Sequence, residues 1–239
     1  MNKKNVLLVT FTLTIITVLV LLVSFKNNSQ NEFIDNYSQI DDKDYLNDDT
    51  YYSELPVEDL SQDEINGLLQ MREEEKLAHD VYTKLYEMWG QKIFSNISDS
   101  EQTHTDLVAT LLDKYNVEDP VKTAEIGVFT NDEISKLYNE LIELGQDSLM
   151  DALKVGATVE DLDIYDLANL MEKTDNEDIL AAYQNLTKGS RNHLRSFTRL
   201  INRNGGIYSP QYISTDLYNE IITSPSENGV LYDSSGNQR

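Results

Sequence analysis

Glu101-Gln-Thr-His104 is the segment of this chain whose residue types and spacing most readily do chemistry. On a helix, side chains three apart are neighbours, so this carboxylate and imidazole could serve one cation. The chain has no cysteine, which excludes disulfides, thiolate catalysis, cysteine zinc sites and iron–sulfur clusters. A metal site here must use His, Asp and Glu, and the histidines are His79, His104 and His193 alone. Further acids interrupt apolar helical stripes. Glu75 falls within Leu68, Met71, Ala78, Tyr82 and Leu85; Glu160 and Asp163 fall within Ala152, Gly156, Leu167 and Leu170. His193 and Ser190 take the same place between Leu186 and Phe197.

An isolated buried carboxylate costs several kcal/mol and ordinarily takes up a proton. Three helices that each turn a carboxylate inward at mid-length point instead to a shared cation. Each residue alone has a plainer reading. Glu73-Glu74-Glu75 could be a solvated charge run, and only the stripe singles out Glu75. His193 could be a hydrogen-bonded core histidine, Tyr82 an ordinary core tyrosine, and Asp161, Asp163 and Asp166 a solvated edge. His79 lies to one side of its stripe and is not expected to be a ligand.

The elements that must position these groups are helical throughout. Ser61 and Glu64 form a capping box that opens a first long helix reaching about Trp89. Ser98 or Asp99 is expected to cap a second, which ends near Tyr115. Pro120 and Gly127 interrupt, and a short helix follows from Thr130 or Asn131 to about Leu144. A third long helix opens at Asp147 or Ser148, and a fourth at Thr174 or Asp175, running to about Arg203 before Gly205-Gly206. Tyr208 to Ile222 is expected to be an ordered strap, and 223–239 a loose tail. Four long helices with one longer connection fit an all-α antiparallel four-helix bundle with a crossover.

Glu75-Lys-Leu-Ala78-His-Asp-Val-Tyr82, followed by Glu101-x-x-His104, resembles the first half of the rubrerythrin and ferritin-like pattern. Arg72-Glu-Glu-Glu-Lys-Leu-Ala78, Glu160-Asp-Leu-Asp163-Ile-Tyr-Asp166, Gly189-Ser-Arg-Asn-His-Leu-Arg195 and Pro210-Gln-Tyr-Ile-Ser214 are similar, more narrowly, to a ferritin-like family, domain of unknown function 2202. The resemblance spans Leu55 to Ile222. It implies a di-iron-type site with Glu75, Glu101, His104, Glu160 and His193 as metal ligands. The fourth helix of that pattern should read Glu-x-x-His, but here it reads Ser190-Arg-Asn-His193. Asp163, one turn from Glu160, is the candidate substitute. The cysteine-bound iron through which peroxide-reducing rubrerythrins receive electrons has no counterpart.

Carboxylate and imidazole donors without thiolate suit iron, with manganese or zinc as alternatives. The functional expectation is a metal-dependent redox or iron-handling protein. The rival is a non-catalytic helical binding module with a degenerate or structural metal site. The net charge of −23 repels nucleic acid. At the N-terminus Lys3 and Lys4 precede an uncharged run from Val6 to Phe25, long enough for one bilayer crossing. Residues 1–25 are therefore expected to anchor the domain outside a membrane, or to release it if cleaved. Residues 26–54 carry eight acids against two bases and are expected to be a disordered linker to a domain at 55–222. A homo-oligomer is compatible with this plan.

Overall fold

The computed structural model describes Tyr52 and residues 55–229. Among the residues from 55 onward that it describes, six helices follow in order, α1 Gln62–Trp89, α2 Lys92–Lys114, α3 Asp132–Gly145, α4 Leu149–Met171, α5 Glu177–Arg203 and α6 Thr215–Thr223, and there is no strand among the described residues. The expected N-terminal membrane segment and almost all of the linker lie outside the described residues. No helix among the described residues is long and apolar enough to cross a membrane.

The start of α1 follows its capping box. Ser61 Oγ accepts from the Glu64 amide, and Glu64 Oε2 accepts from the Ser61 amide. Its end is set by Gly90, which takes the left-handed conformation at φ 64°. Helix α2 begins at Lys92 and not at Ser98 or Asp99, and its N-cap Gln91 makes no side-chain cap bond. Ile93, Phe94 and Ile97 are buried, so packing holds this turn where no cap does. Ser98 instead donates to the His79 carbonyl, 3.1 Å away. Helix α5 likewise starts after Asn176, and Thr174 donates to Glu64 Oε1 rather than capping the helix.

Helix α1 packs along α2, and α4 along α5. The pairs meet through α1 against α4 and α2 against α5, while α3 bridges α1 and α4 and α6 rests on α5. The apolar interior is split in two. One cluster contains Ala78, Tyr82, Ile97, Leu194 and Phe197; the other contains Leu68, Met71, Val108, Leu167 and Leu186. On each long helix the interrupting polar residues fall between these clusters.

Two regions, at Tyr52 and Glu227, depart from the sequence expectations, and the ordered strap between them gains a helix. Tyr52, assigned to the linker, is only 2% exposed; its hydroxyl accepts from Asn185 and its carbonyl from Lys114. The strap contains α6, capped by Ser214, whose Oγ accepts from the Leu217 amide. Glu227, assigned to the loose tail, pairs with Arg191 and Arg195, and Asn192 binds its amide and carbonyl.

The acid-rich face of α1 is not a solvated run. Arg72 pairs with Asp119, Glu73 accepts from the Thr130 and Asn131 amides, Lys76 donates to Asp80 and to the Glu125 carbonyl, and Asp80 accepts from the Gly127 amide. These four residues pin the long connection between α2 and α3 onto α1. Gly127 turns there with φ 78°, and a Cβ on it would stand 2.6 Å from the Tyr138 ring. Glu73→Gln should therefore destabilise the fold by about 2 kcal/mol, because charge-assisted bonds to two backbone amides weaken. Urea unfolding of the variant checks this; an unchanged midpoint would show that the connection does not depend on Glu73.

Candidate metal centre

Between the two apolar clusters the long helices bring together two donor triads. Glu75, Glu101 and His104 form one; Glu101, Glu160 and His193 form the other. In each triad one donor atom per residue lies within 4.8 Å of the others. Helix α1 supplies Glu75, α2 supplies Glu101 and His104, α4 supplies Glu160, and α5 supplies His193. All five side chains are at most 2% exposed as residues.

Glu101 belongs to both triads through different oxygens. Its Oε2 lies 2.7 Å from His104 Nδ1, and its Oε1 lies 2.9 Å from His193 Nδ1. His104 Nδ1 is also 3.2 Å from Glu75 Oε2, and His193 Nδ1 is 3.4 Å from Glu160 Oε2. The two imidazoles are stacked, with ring centres 5.7 Å apart. The arrangement is nearly symmetric about Glu101, with one outer Glu and one His on each side.

Charge explains how so many acids coexist. Burial would raise Glu101, but His104 and His193 outweigh it and hold its carboxyl well below the usual range. Burial pushes Glu75 and Glu160 up to about 7, against the pull of His104 and His193 respectively. Burial would lower the histidines, yet Glu101 and Glu75 hold His104 well above its ordinary value, and Glu160 and Glu101 bring His193 to about 10. Protons thus do here what a cation could do. The donor oxygens also leave room for one: Glu75 Oε1 has no hydrogen-bond partner. Beside the triads lies a cavity of about 20 Å³, room for about one water molecule.

Asp163 stands outside both triads. It accepts a hydrogen bond from Ser190, which also donates to the Leu186 carbonyl. Ser190 stands three residues before His193 on α5. His79 is elsewhere, 2.9 Å from Asp80. Tyr82 does line the site: its hydroxyl donates to Glu160 and, at 3.2 Å, to the Gly156 carbonyl. Burial and then Glu160 push the phenol's pKa well up, so it stays a donor.

Two contributors escape the sequence reading. A Cβ at Gly189 would come within 2.6 Å of His104 Cε1, so the bare α5 backbone makes room for the imidazole. A glycine inside a helix costs about 1 kcal/mol relative to alanine, and that cost was the available signal of a close approach. Glu74 is 8% exposed and lines the cavity, although it is off the inward stripe. Burial, then Asp166 and Asp163, raise it well above the ordinary range. Asp161, for which a solvated edge was the plainer alternative, is fully buried and accepts from the Gln211, Tyr212 and Ile213 amides and the Tyr208 hydroxyl. It ties the strap to α4.

Fold and site together define an all-helical protein with a buried carboxylate–histidine cluster that could hold metal. The chain belongs to the family described as "Uncharacterized protein domain (DUF2202)", which matches residues 64–225. It is 57% identical over 180 residues to "Uncharacterized protein MJ0754" of Methanocaldococcus jannaschii, an alignment covering 75% of this chain and 97% of that protein. The crystal structure of hypothetical protein MJ0754 from Methanococcus jannaschii DSM 2661 superposes with a TM-score of 0.72 at 57% identity, over 72% of this chain and 99% of that one.

Proposed function

We propose that this protein is a ferritin-like four-helix bundle that holds a pair of metal ions, iron or manganese before zinc, and serves in redox chemistry or iron handling. The observation that carries the reading is the sharing of Glu101 between two triads, each completed by one Glu and one His from surrounding helices. A carboxylate with one oxygen toward each half is suited to bridge two cations. The donor set of three carboxylates and two imidazoles matches the harder first-row ions. When bound, iron would supply one-electron chemistry toward oxygen or peroxide. The chain's own contributions are distinct. Tyr82 fixes one oxygen of Glu160, leaving Oε2 on the side of His193. The two apolar clusters exclude water from both ends of the site. Gly189 admits the His104 ring. The uncharged run behind Lys3 and Lys4 would hold this domain outside a membrane.

Ser190 favours a second reading, a metal site kept for structure alone, because it removes the second bridging carboxylate of the di-iron pattern. Reconstitution of the full chain with ferrous or manganous ion, followed by elemental analysis, tests metal binding; oxygen consumption by the ferrous form separates the two readings. Binding should release protons, since the cation replaces those held on the histidines and on Glu75 and Glu160. Lower pH favours these protons over metal, so affinity should rise between about pH 6 and 8. Proton release followed with a weakly buffered indicator dye checks this, and metal uptake without it would contradict the assigned ligands.

A further inference from the structure

The cavity beside the triads is lined by three of their carboxylates and by two acids outside them, Glu74 and Asp163. Five acids face it, Glu74, Glu75, Glu101, Glu160 and Asp163, and no basic side chain does. Like charges gathered at low dielectric repel one another, and a mobile cation relieves that repulsion more directly than any side chain in this lining. Glu74 holds the outer position. It is 8% exposed against 2% for each of Glu75, Glu101 and Glu160. Gln70 donates to its Oε1 at 3.0 Å, which fixes the carboxylate and leaves Oε2 without a partner. Glu75, the next residue, also keeps an unpartnered oxygen on the same cavity. Successive helical residues point about 100° apart, so the two carboxylates form an outer and an inner step. Asp163 lines the cavity from α4, and Asp166, one turn along that helix, has an unpartnered oxygen of its own. Helix α1 contacts α4 along this side.

We propose that Glu74 and Asp163, with Asp166 behind them, form a receiving site where a divalent cation is taken up between α1 and α4 and passed by way of Glu75 to the inner triads. This rests on the metal-binding reading above and assigns Glu74 a positioning role outside the final ligand set. Acid oxygens without a hydrogen-bond partner at the mouth of a cleft are ready ligands for an entering cation, and so speed its entry. They need not change the equilibrium occupancy of the inner donors.

Cobalt(II) uptake by the full chain, followed by stopped-flow absorbance, tests the idea. Glu74→Gln should slow loading by about tenfold, the low end of the electrostatic effect on association. The final cobalt stoichiometry should be that of the wild type. Asp166→Asn, at a more exposed position, should slow loading in the same direction. Glu87→Gln, on the exposed side of α1, should load normally. Wild-type loading rates in both Glu74→Gln and Asp166→Asn overturn the receiving site while leaving the metal centre standing. Loss of final stoichiometry in Glu74→Gln also overturns it, by making Glu74 an inner ligand. A wild-type chain that takes up no cobalt overturns the metal centre, and the receiving site with it.

Discussion

Glu101→Gln is expected to abolish binding in both halves of the site, whereas Glu75→Gln and Glu160→Gln should each remove one half. The reason is geometric: Glu101 is the only residue common to both triads, one oxygen toward His104 and the other toward His193. The substitution keeps volume and removes the charge that a pair of cations would share. A metal that binds only the folded state stabilises by mass action, by about 4 kcal/mol at about a thousand times its dissociation constant. Wild type should gain on that scale, and Glu101→Gln should gain almost nothing. Unfolding curves in ferrous or manganous ion and in chelator, with elemental analysis beside them, measure this. Equal metal-dependent gains in wild type and Glu101→Gln would remove Glu101 from the centre. The metal-free variant also informs, because Glu101 is the counter-charge shared by His104 and His193. Its loss should let both imidazoles give up protons more readily.

Ser190→Glu should have the opposite dependence on metal. Ser190 is 1% exposed and donates to Asp163, so the acid is satisfied by a neutral hydroxyl. A glutamate there cannot donate while ionised. It would add a carboxylate to a region already holding Asp163, Glu75 and Glu160, and a buried charge without a partner costs about 3–5 kcal/mol. In chelator the variant should therefore lose stability on that scale. With ferrous or manganous ion much of the loss should return, since the new Glu-x-x-His offers a second bridging carboxylate. Asp163→Asn should lower stability less, because an amide still accepts from Ser190. Thermal unfolding with and without metal reads the difference. A variant equally unstable in both conditions would mean that position 190 faces packing alone, not the cations.

Several features are legible in the residue pattern alone. The capping box at Ser61 and Glu64 marks the start of α1, because both halves of that motif lie within one short stretch of chain. Glu75, Glu101, His104, Glu160 and His193 are legible as inward polar positions because each breaks an apolar stripe of known period, and they meet in the two triads that could hold a metal ion. The start of α2 is not legible. Ser98 looks like a cap by residue type, but the burial of Ile93, Phe94 and Ile97 carries the helix back to Lys92. The role of Arg72, Glu73, Lys76 and Asp80 is also hidden. A charge run is normally solvated, and only the return of the 115–131 connection across α1 turns it inward.

The sequence by itself thus determined what repeats locally: helical period, caps, the absence of thiolate chemistry, and which inward positions are polar. Tertiary structure alone decided which of those polar groups meet. Glu101 reaches both histidines only because α5 lies against α2, and His104 fits only because Gly189 presents no side chain where the two helices approach. Asp163 turns to Ser190 rather than into a triad because the hydroxyl facing it on α5 satisfies it first. Helical period fixes a side chain's direction about its own axis, but the partner across the core depends on how far each neighbouring helix is rotated and advanced, and that is set by the packing of the whole interior.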